Sequence, residues 1–467
     1  MSAWTRIYGR LPAPARSVAA SLRGYWLRSW RYGPETDRLV DEVLERDQWR
    51  DDQWQIWREE RLARILHRAA TRVPYYREQW SARRRRGDRA SWERLENWPI
   101  LSKAPLRENP AAFVADDCDV RRMFPVETSG TLGTPLRLWR SRPTERSWHA
   151  IFEARLRLWN GVSRRDRWAN IGGQRVTRGG QRKPPFWVWN RGMRQLYLSS
   201  YHASPDAVPS YIDAIRRYGV TYLVGYPSAM HAIARVAVER GIPVPKLRVV
   251  VSNAESLFEF QRETIARAFD CSVRNTYGQA EIVCAASECP SGTMHLWPDV
   301  GVTECIRDDP DQRNPRSQVG SLVCTGLINT DMPLVRYDTG DRAALGDSAE
   351  PCACGRLLPI IRSLDGRAQD LIITPSGSPV GGLDTVFHSG LPIFEAQIVQ
   401  ETLHRIRIKV VPAPGFGDKH RQDLVRGVRA RIGTELEVLV DVVESIPRTS
   451  AGKFRLQISM IAAGRLP

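Results

Sequence analysis

The feature that most constrains the fold is an alternation of apolar and amphipathic runs in the middle of the chain. Runs typical of buried strands alternate with runs typical of helices over 219–226, 228–241, 247–255, 256–269 and 271–278. Strands joined by helices pair in parallel, so the pattern predicts an α/β domain of layered sheets. Ligands of such domains bind beyond the carboxyl ends of the strands. Tyr226, Asn253 and Tyr277 stand at those ends.

The two ends of the chain differ from this middle. The first 100 residues hold most of the 16 tryptophans, and apolar residues at helical spacing over 62–69 predict a helix that Pro74 stops. After residue 365 the pattern predicts three short strands, at 395–400, 403–411 and 436–443, and one helix at 419–433. Together these elements are expected to form a compact α+β module. We therefore expect a helical region at 1–100, a large domain at 101–365 and a small domain at 366–467.

The charge balance is the unusual part of the composition. The net charge is +17, and arginine carries nearly all of the excess. A uniform arginine excess fits genome composition, and nucleic acid or an anionic membrane surface are the alternatives. The sequence has no RNA-binding or zinc-finger signature and no basic stripe interleaved with aromatic residues, so we expect no nucleic-acid partner. The densest basic run, 83–86, is expected to be a solvated loop.

Targeting signals and cysteine usage point to a reducing compartment. No apolar run reaches the roughly 18 residues that a membrane span needs, and arginines interrupt the first 33 residues, so we predict no cleavable signal peptide. Eight cysteines without an export signal predict a cytoplasmic location. Trp26 and Trp30 among arginines leave two interpretations for residues 1–33: packing against the protein's own core, or weak contact with an anionic membrane surface.

A loop rich in glycine and hydroxyl residues, "TSGTLGT" at 128–134, lies between two apolar patches. Small residues let the backbone approach a ligand, and several N–H groups then point at one anion, usually phosphate. A turn that joins two strands is the alternative.

Four further stretches place charged or aromatic residues on turns. They are "NTYGQAEIV" (275–283), "PLVRYDTGDRA" (333–343), "LDGRAQDLIITPSG" (364–377) and "ESIPRTSAGKFRL" (444–456). Each alone is typical of a turn or linker. Taken in order after the 128–134 loop, they resemble the motifs of the adenylate-forming superfamily, which includes acyl-CoA synthetases and adenylation domains. The branch that they resemble most is the phenylacetate–coenzyme A ligase family with its relatives from capsular polysaccharide loci, which 65–80 and 97–109 also resemble.

The resemblance implies a fold and a phosphate site. The expected fold is a large N-terminal domain with parallel layered sheets, followed by a small mobile α+β C-terminal domain. The residues expected to wrap the β- and γ-phosphates of ATP are Thr128, Ser129, Gly130, Thr131 and Gly133. Thr131 is also expected to be catalytic.

The resemblance also implies a nucleoside site. Tyr277, followed by Gly278, is expected to stack on adenine. Asp341 is expected to accept both ribose hydroxyls, because a carboxylate offers two acceptor oxygens. Arg367 is expected to reach the ribose as well.

Two further residues acquire catalytic roles from the resemblance. Glu281 is expected to help hold Mg²⁺, which prefers oxygen ligands. Lys453 is expected to bridge the substrate carboxylate and the α-phosphate. The sequence departs from the family at two places, where Leu136 replaces a frequent basic residue and Gln369 replaces the usual acidic or lysine hinge residue. Neither departure removes a catalytic group.

The implied reaction joins a carboxylic acid to ATP, giving an acyl-adenylate and pyrophosphate, and then passes the acyl group to a thiol, most simply coenzyme A. Transfer to an amine or hydroxyl acceptor, as in polysaccharide biosynthesis, is one alternative. An inactive scaffold that keeps the fold is another. A second copy of the chain, forming a homodimer, is a further candidate partner.

A candidate metal site comes from two separate turns. Cys289 and His295 flank one turn, and Cys352 and Cys354 flank another some sixty residues later. Two ligands from each of two turns is a common way to build a structural zinc site, and three cysteines with one histidine are a common ligand set. The alternative is three reduced cysteines and an ordinary surface histidine. Cys284 is a weaker candidate ligand.

Overall fold

The structure is a computed structural model that describes residues 8, 11–128, 135–174, 176–178, 181–307, 319–346, 351–367, 372–375, 379–380, 383–387, 391–449 and 452–461. Among these residues, no helix combines the length and the hydropathy needed to cross a bilayer.

Ten helices among the described residues are α1 Ala13–Arg31, α2 Thr36–Arg46, α3 Asp51–Arg72, α4 Pro74–Arg85, α5 Lys103–Glu108, α6 Arg142–Phe152, α7 Val208–Arg217, α8 Pro227–Glu239, α9 Glu259–Phe269 and α10 Asp418–Ile432. The strands in the first half are β1 Phe124–Glu127, β2 Arg137–Arg140, β3 Trp168–Gly172, β4 Trp187–Asn190, β5 Gln195–Ser199, β6 Tyr222–Gly225, β7 Val249–Ser252, β8 Ser272–Gly278, β9 Ala285–Glu288 and β10 Met294–Leu296. The strands in the second half are β11 Gly301–Arg307, β12 Val319–Gly326, β13 Tyr337–Leu345, β14 Ile361–Arg367, β15 Ile372–Ile373, β16 Pro379–Val380, β17 Ile393–Thr402, β18 Arg405–Pro412, β19 Glu437–Val442 and β20 Gln457–Ser459.

The largest sheet has eight strands in the order β10-β9-β8-β7-β6-β3-β5-β4. Its centre, from β5 to β8, is parallel, and its two edges are antiparallel. Every residue of β6 and β7 is buried, as expected for parallel strands covered on both faces. The predicted α/β architecture is therefore confirmed.

A second sheet of four antiparallel strands, β11-β12-β13-β14, follows in the chain. Its register places Asp341 on β13 directly opposite Arg367 on β14. The sheet thereby brings together two positions that lie on separate motifs in the sequence.

The C-terminal domain is the predicted α+β module. Its sheet has the order β19-β18-β17-β20, and α10 packs on it. The fully buried centre of this domain contains Ile398, Ile406, Ile408, Val410, Leu424 and Val428. The boundaries predicted near residues 100 and 365 stay predictions.

The N-terminal helices pack against the large domain, as expected for a tryptophan-rich region. Trp54, Trp80 and Trp98 are almost fully buried, and α3 ends at Arg72, just before Pro74. The prediction of a loop at 83–86 was wrong in part. Arg83 to Arg85 form the last turn of α4, because the run continues a helical pattern and Arg83 lies over the Trp80 ring at 4.3 Å.

Candidate functional site

The carboxyl ends of the central strands gather the predicted ligand-binding residues. Tyr226 directly follows β6, Asn253 directly follows β7 and Tyr277 is near the end of β8. The backbone N–H of Tyr226 donates to the carbonyl of Ile171, and that of Asn253 to the carbonyl of Gly225. Each residue is thus fixed at the same edge of one sheet, as the strand pattern predicted.

Tyr277 and Asp341 form one polar site. The Tyr277 hydroxyl donates to Asp341 Oδ2 at 2.9 Å, and Gln279 Nε2 donates to the same hydroxyl at 3.0 Å. Burial, together with the Asp341 carboxylate, raises the pKa of Tyr277 well above its ordinary value. Gly278 ends β8 opposite Ala285. An aromatic ring beside a carboxylate has the chemistry to hold a nucleoside, because the ring can stack on a base and the carboxylate can accept hydroxyls.

Glu281 is oriented by a buried tyrosine. The hydroxyl of Tyr337 donates to Glu281 Oε1 at 2.7 Å. Burial and this carboxylate raise the pKa of Tyr337 strongly, so the tyrosine stays a donor at neutral pH. Sequence reasoning missed Tyr337, although it stands inside the "VRYDTGD" stretch.

Arg140 connects the turn of Glu281 to β2. Its guanidinium donates to the carbonyl of Ala280 at 2.5 Å and to Glu145 Oε1 at 3.0 Å, and both charged side chains are buried. Sequence reasoning also missed Arg140. Its signal was an arginine directly after the apolar pair Leu138 and Trp139.

The strands that flank the glycine- and hydroxyl-rich stretch, β1 and β2, pair in antiparallel fashion. Thr128 N–H donates to the Leu136 carbonyl at 3.0 Å, and Leu136 N–H donates to Thr128 Oγ1 at 2.9 Å. Thr128 and Leu136 therefore pair at the two described ends of this stretch. The other predicted phosphate ligands lie outside the described residues: Ser129, Gly130, Thr131 and Gly133.

For Arg367 the structure describes the position of the backbone only. Arg367 ends β14 opposite Asp341, which agrees with a role near the same nucleoside. The position of its side chain and the hinge residue Gln369 lie outside what the structure describes.

Lys453 lies on a tight turn of the C-terminal domain that contacts the large domain. Its N–H donates to Thr449 Oγ1 at 3.0 Å, and its carbonyl accepts from the Thr449 N–H at 2.9 Å. Gly452 has φ +75, and a Cβ there would lie 3.0 Å from the Tyr201 ring, so only glycine suits this close approach. The turn places Lys453 Nζ 5.9 Å from the centroid of the Tyr226 ring. Lys453 therefore lies at the strand ends where the other site residues gather.

The four predicted metal ligands converge. The ligand atoms of Cys289, His295, Cys352 and Cys354 all lie within 4.8 Å of one another. Cys289 Sγ is 3.7 Å from Cys352 Sγ, and Cys354 Sγ is 3.4 Å from His295 Nε2. Tetrahedral zinc with bonds of about 2.3 Å to sulfur and 2.0–2.1 Å to nitrogen requires sulfur–sulfur and sulfur–nitrogen separations of about 3.8 and 3.5 Å. The donor set and these two separations therefore fit a zinc ion.

The surroundings of this cluster also favour a ligand role for its histidine. His295 is fully buried, which contradicts the alternative of a surface histidine. Its Nδ1 is 3.1 Å from the Leu358 carbonyl, which orients Nε2 toward Cys354. Burial alone would raise the pKa of Cys352, but hydrogen bonds from Thr293, Cys354 and His295 lower it to about 6. Cys284 lies apart in the core, with its Sγ 3.5 Å from the Thr303 hydroxyl.

Comparison with known families gives two matches along the chain. The family described as AMP-binding enzyme matches residues 183–332, and the CapK C-terminal domain matches residues 372–460. Protein CapK of Staphylococcus aureus is 22% identical over 463 residues, which cover 97% of this chain and 99% of CapK.

These matches make the chain similar to the adenylate-forming superfamily, and in particular to its phenylacetate–coenzyme A ligase-like branch. A phenylacetate–coenzyme A ligase of Thermus thermophilus is 27% identical over 49% of this chain and 58% of the relative. The crystal structure of 2-hydroxyisobutyryl-CoA ligase in the postadenylation state, in complex with R3-HIB-AMP, shares the fold with a TM-score of 0.66. It is 21% identical, and the match covers 89% of this chain and 91% of the ligase. These relatives support an activity like that of adenylate-forming acid–CoA ligases.

Proposed function

We propose that this adenylate-forming enzyme activates a carboxylic acid with ATP and then transfers the acyl group to a thiol, with coenzyme A as the first candidate. In the first step a carboxylate oxygen bonds to the α-phosphorus and pyrophosphate leaves. In the second step the thiolate sulfur bonds to the acyl carbon and AMP leaves. The observation that carries the proposal is that Lys453 lies beside Tyr226, at the strand ends where Asn253 and Tyr277 also stand.

Each residue role in the proposal comes from the family resemblance and suits the chemistry of the side chain. The Tyr277 ring and the Asp341 carboxylate hold the nucleoside, with Arg367 beside the ribose. The stretch that begins at Thr128 binds the ATP phosphates, and Thr131 acts there in catalysis. Glu281, which Tyr337 orients, helps to hold Mg²⁺ on those phosphates.

Lys453 supplies positive charge where negative charge develops on the α-phosphate. Burial, together with Glu255, raises the pKa of the neighbouring Tyr226 to about 12, so this tyrosine is neutral at physiological pH. Because the C-terminal domain carries Lys453, we propose that this domain moves between the two half-reactions and that Lys453 serves only the first.

Two enzymatic versions of the proposal differ in the group that accepts the acyl chain. The relatives named as coenzyme A ligases support a thiol. An amine or hydroxyl acceptor is the alternative, and supplying coenzyme A and candidate amines to the preformed acyl-adenylate separates the two. A chain that forms no acyl-adenylate would instead be the inactive scaffold. The homodimer stays a prediction for sedimentation measurements.

We further propose that the cluster of three cysteines and one histidine holds one structural zinc ion. Four protein ligands leave no open coordination position for catalysis. The two turns of the cluster lie after Glu281 and before Arg367, so the ion would brace the nucleotide site from both sides.

The exposed face of α1 supports a contact with an anionic lipid bilayer. The exposed large apolar side chains of this helix are Val18, Leu22, Tyr25 and Trp26, between 48% and 67% exposed, and the Trp26 ring also stacks on Phe124. Successive helical residues turn by about 100°, so these four form one stripe, and Arg23 and Arg28 lie roughly 60° beyond its two edges. The helix contains no acidic residue. Apolar residues flanked by arginines fit the interface of an anionic bilayer, where the guanidinium groups reach the headgroups.

Replacing Leu22 with glutamate should weaken binding to vesicles that contain anionic phospholipid. The change introduces a negative charge into the stripe, and each basic residue near such a surface contributes about 1 kcal/mol of attraction. Sedimentation at low salt with anionic and neutral vesicles measures the effect. Ile56→Glu is the matched control, because Ile56 is 70% exposed on a different helix. Equal binding of the parental chain and Leu22→Glu would contradict the contact.

A further inference from the structure

Glu255 lies where the large domain meets the turn that carries Lys453. It follows β7 by three residues, after Ala254, which has φ +64. A left-handed conformation is costly for alanine and turns the chain sharply after the strand. The carboxylate of Glu255 is in contact with the C-terminal domain.

Each oxygen of the Glu255 carboxylate accepts a backbone hydrogen bond from a different domain. Oε2 accepts from the N–H of Ser228 at 3.2 Å. Ser228 is in the first turn of α8, where backbone N–H groups lack helical partners and favour a negative charge. Oε1 accepts from the N–H of Phe454 at 2.7 Å. One carboxylate thus connects a helix of the large domain to the residue directly after Lys453.

The side chain of Phe454 makes a further contact within the C-terminal domain. The Arg448 guanidinium lies 4.6 Å from the centroid of the Phe454 ring, and Arg448 also pairs with Glu395. Since consecutive Cα atoms are about 3.8 Å apart, fixing the Phe454 amide also fixes the backbone of Lys453. The contact with Glu255 therefore constrains the backbone of Lys453, which Thr449 also holds.

We propose that Glu255 is a positioning residue for acyl-adenylate formation. Its carboxylate docks the Lys453 turn on the large domain and favours the domain arrangement in which Lys453 reaches the strand ends. The inference rests on the proposed function and adds a specific expectation. Glu255 should matter for the first half-reaction and not for the second, in which Lys453 has no role.

Two variants of the full chain test this. Glu255→Gln has the same shape, but its amide accepts only one of the two N–H groups, and Glu255→Ala accepts neither. Glu259→Gln is the matched control, since Glu259 is an exposed acidic residue four positions later, on α9. Three quantities are measured: the rate of acyl-adenylate formation, the rate of thioester formation from supplied acyl-adenylate, and amide hydrogen exchange of the 449–457 peptide without substrate.

We expect Glu255→Ala to form acyl-adenylate about 10- to 100-fold more slowly, the range for losing a hydrogen bond to a charged group, with Glu255→Gln between Glu255→Ala and the parental chain. The KM for ATP and the thioester step should stay unchanged, and the 449–457 peptide should exchange faster. Equal slowing of both half-reactions, or unchanged exchange of the peptide, would overturn the proposal. If the parental chain activates no acid, the proposed function fails, whereas the exchange measurement still decides whether Glu255 holds the turn.

Discussion

Replacing Lys453 with alanine should reduce acyl-adenylate formation about 10²- to 10³-fold, because one preorganised charge aimed at the reacting phosphate is lost. The thioester step from supplied acyl-adenylate should keep nearly its parental rate, since the C-terminal domain would have moved Lys453 away by then. Single-turnover assays of the two half-reactions measure both effects. The geometry behind this prediction is the turn that brings Lys453 Nζ to 5.9 Å from the centroid of the Tyr226 ring.

Lys419→Ala is the control for this experiment. Lys419 is an exposed lysine on α10 of the same domain, so its loss changes the domain's charge without touching the turn. It should leave both half-reactions unchanged. An undiminished rate of acyl-adenylate formation in Lys453→Ala would show that the catalytic role assigned to Lys453 is wrong.

Replacing Cys352 and Cys354 together with serine should remove about one zinc ion per chain and destabilise the large domain. Metal binding at structural sites contributes directly to folding, by about 10–16 kcal/mol in small zinc-binding peptides. Only part of that stabilisation is expected in a large domain, so we expect the unfolding temperature to fall on the order of 10 °C. Metal analysis of protein purified without chelator, followed by thermal unfolding, measures both effects.

Cys118→Ser provides the comparison, because Cys118 is a thiol outside the cluster, beside Asp117 and Arg68. This variant should keep its metal and unfold close to the parental temperature. Parental protein that contains no metal and yet has full stability and full activity would contradict the structural zinc site.

The elements predicted best were those whose pattern is local. The strands and helices between residues 219 and 278 follow from apolar runs of the right length, and the structure has all five. The predicted strands were too long at their ends for a local reason. Gly219 adopts φ +59, and Ala254 adopts φ +64, so the chain turns just outside β6 and β7 although the neighbouring residues suit a strand.

The contacts that position the site could not be predicted, because their partners are far apart in the chain. Tyr337 orients Glu281, and Glu255 accepts from Phe454 across a domain boundary. Neither contact has a local pattern of hydrophobicity or turn residues. The cysteine and histidine pairs were an exception, since metal ligands cluster on turns with recognisable spacing.

The most direct test of the central claim is the exchange of labelled pyrophosphate into ATP across a panel of carboxylic acids. Exchange requires only the first half-reaction, so it does not depend on the acceptor or on coenzyme A. The proposed function predicts exchange that needs Mg²⁺, that depends on one class of acid and that falls about 10²- to 10³-fold in Lys453→Ala. Parental chain of full metal content that shows no exchange with any acid, or the same exchange with and without Lys453, would contradict it.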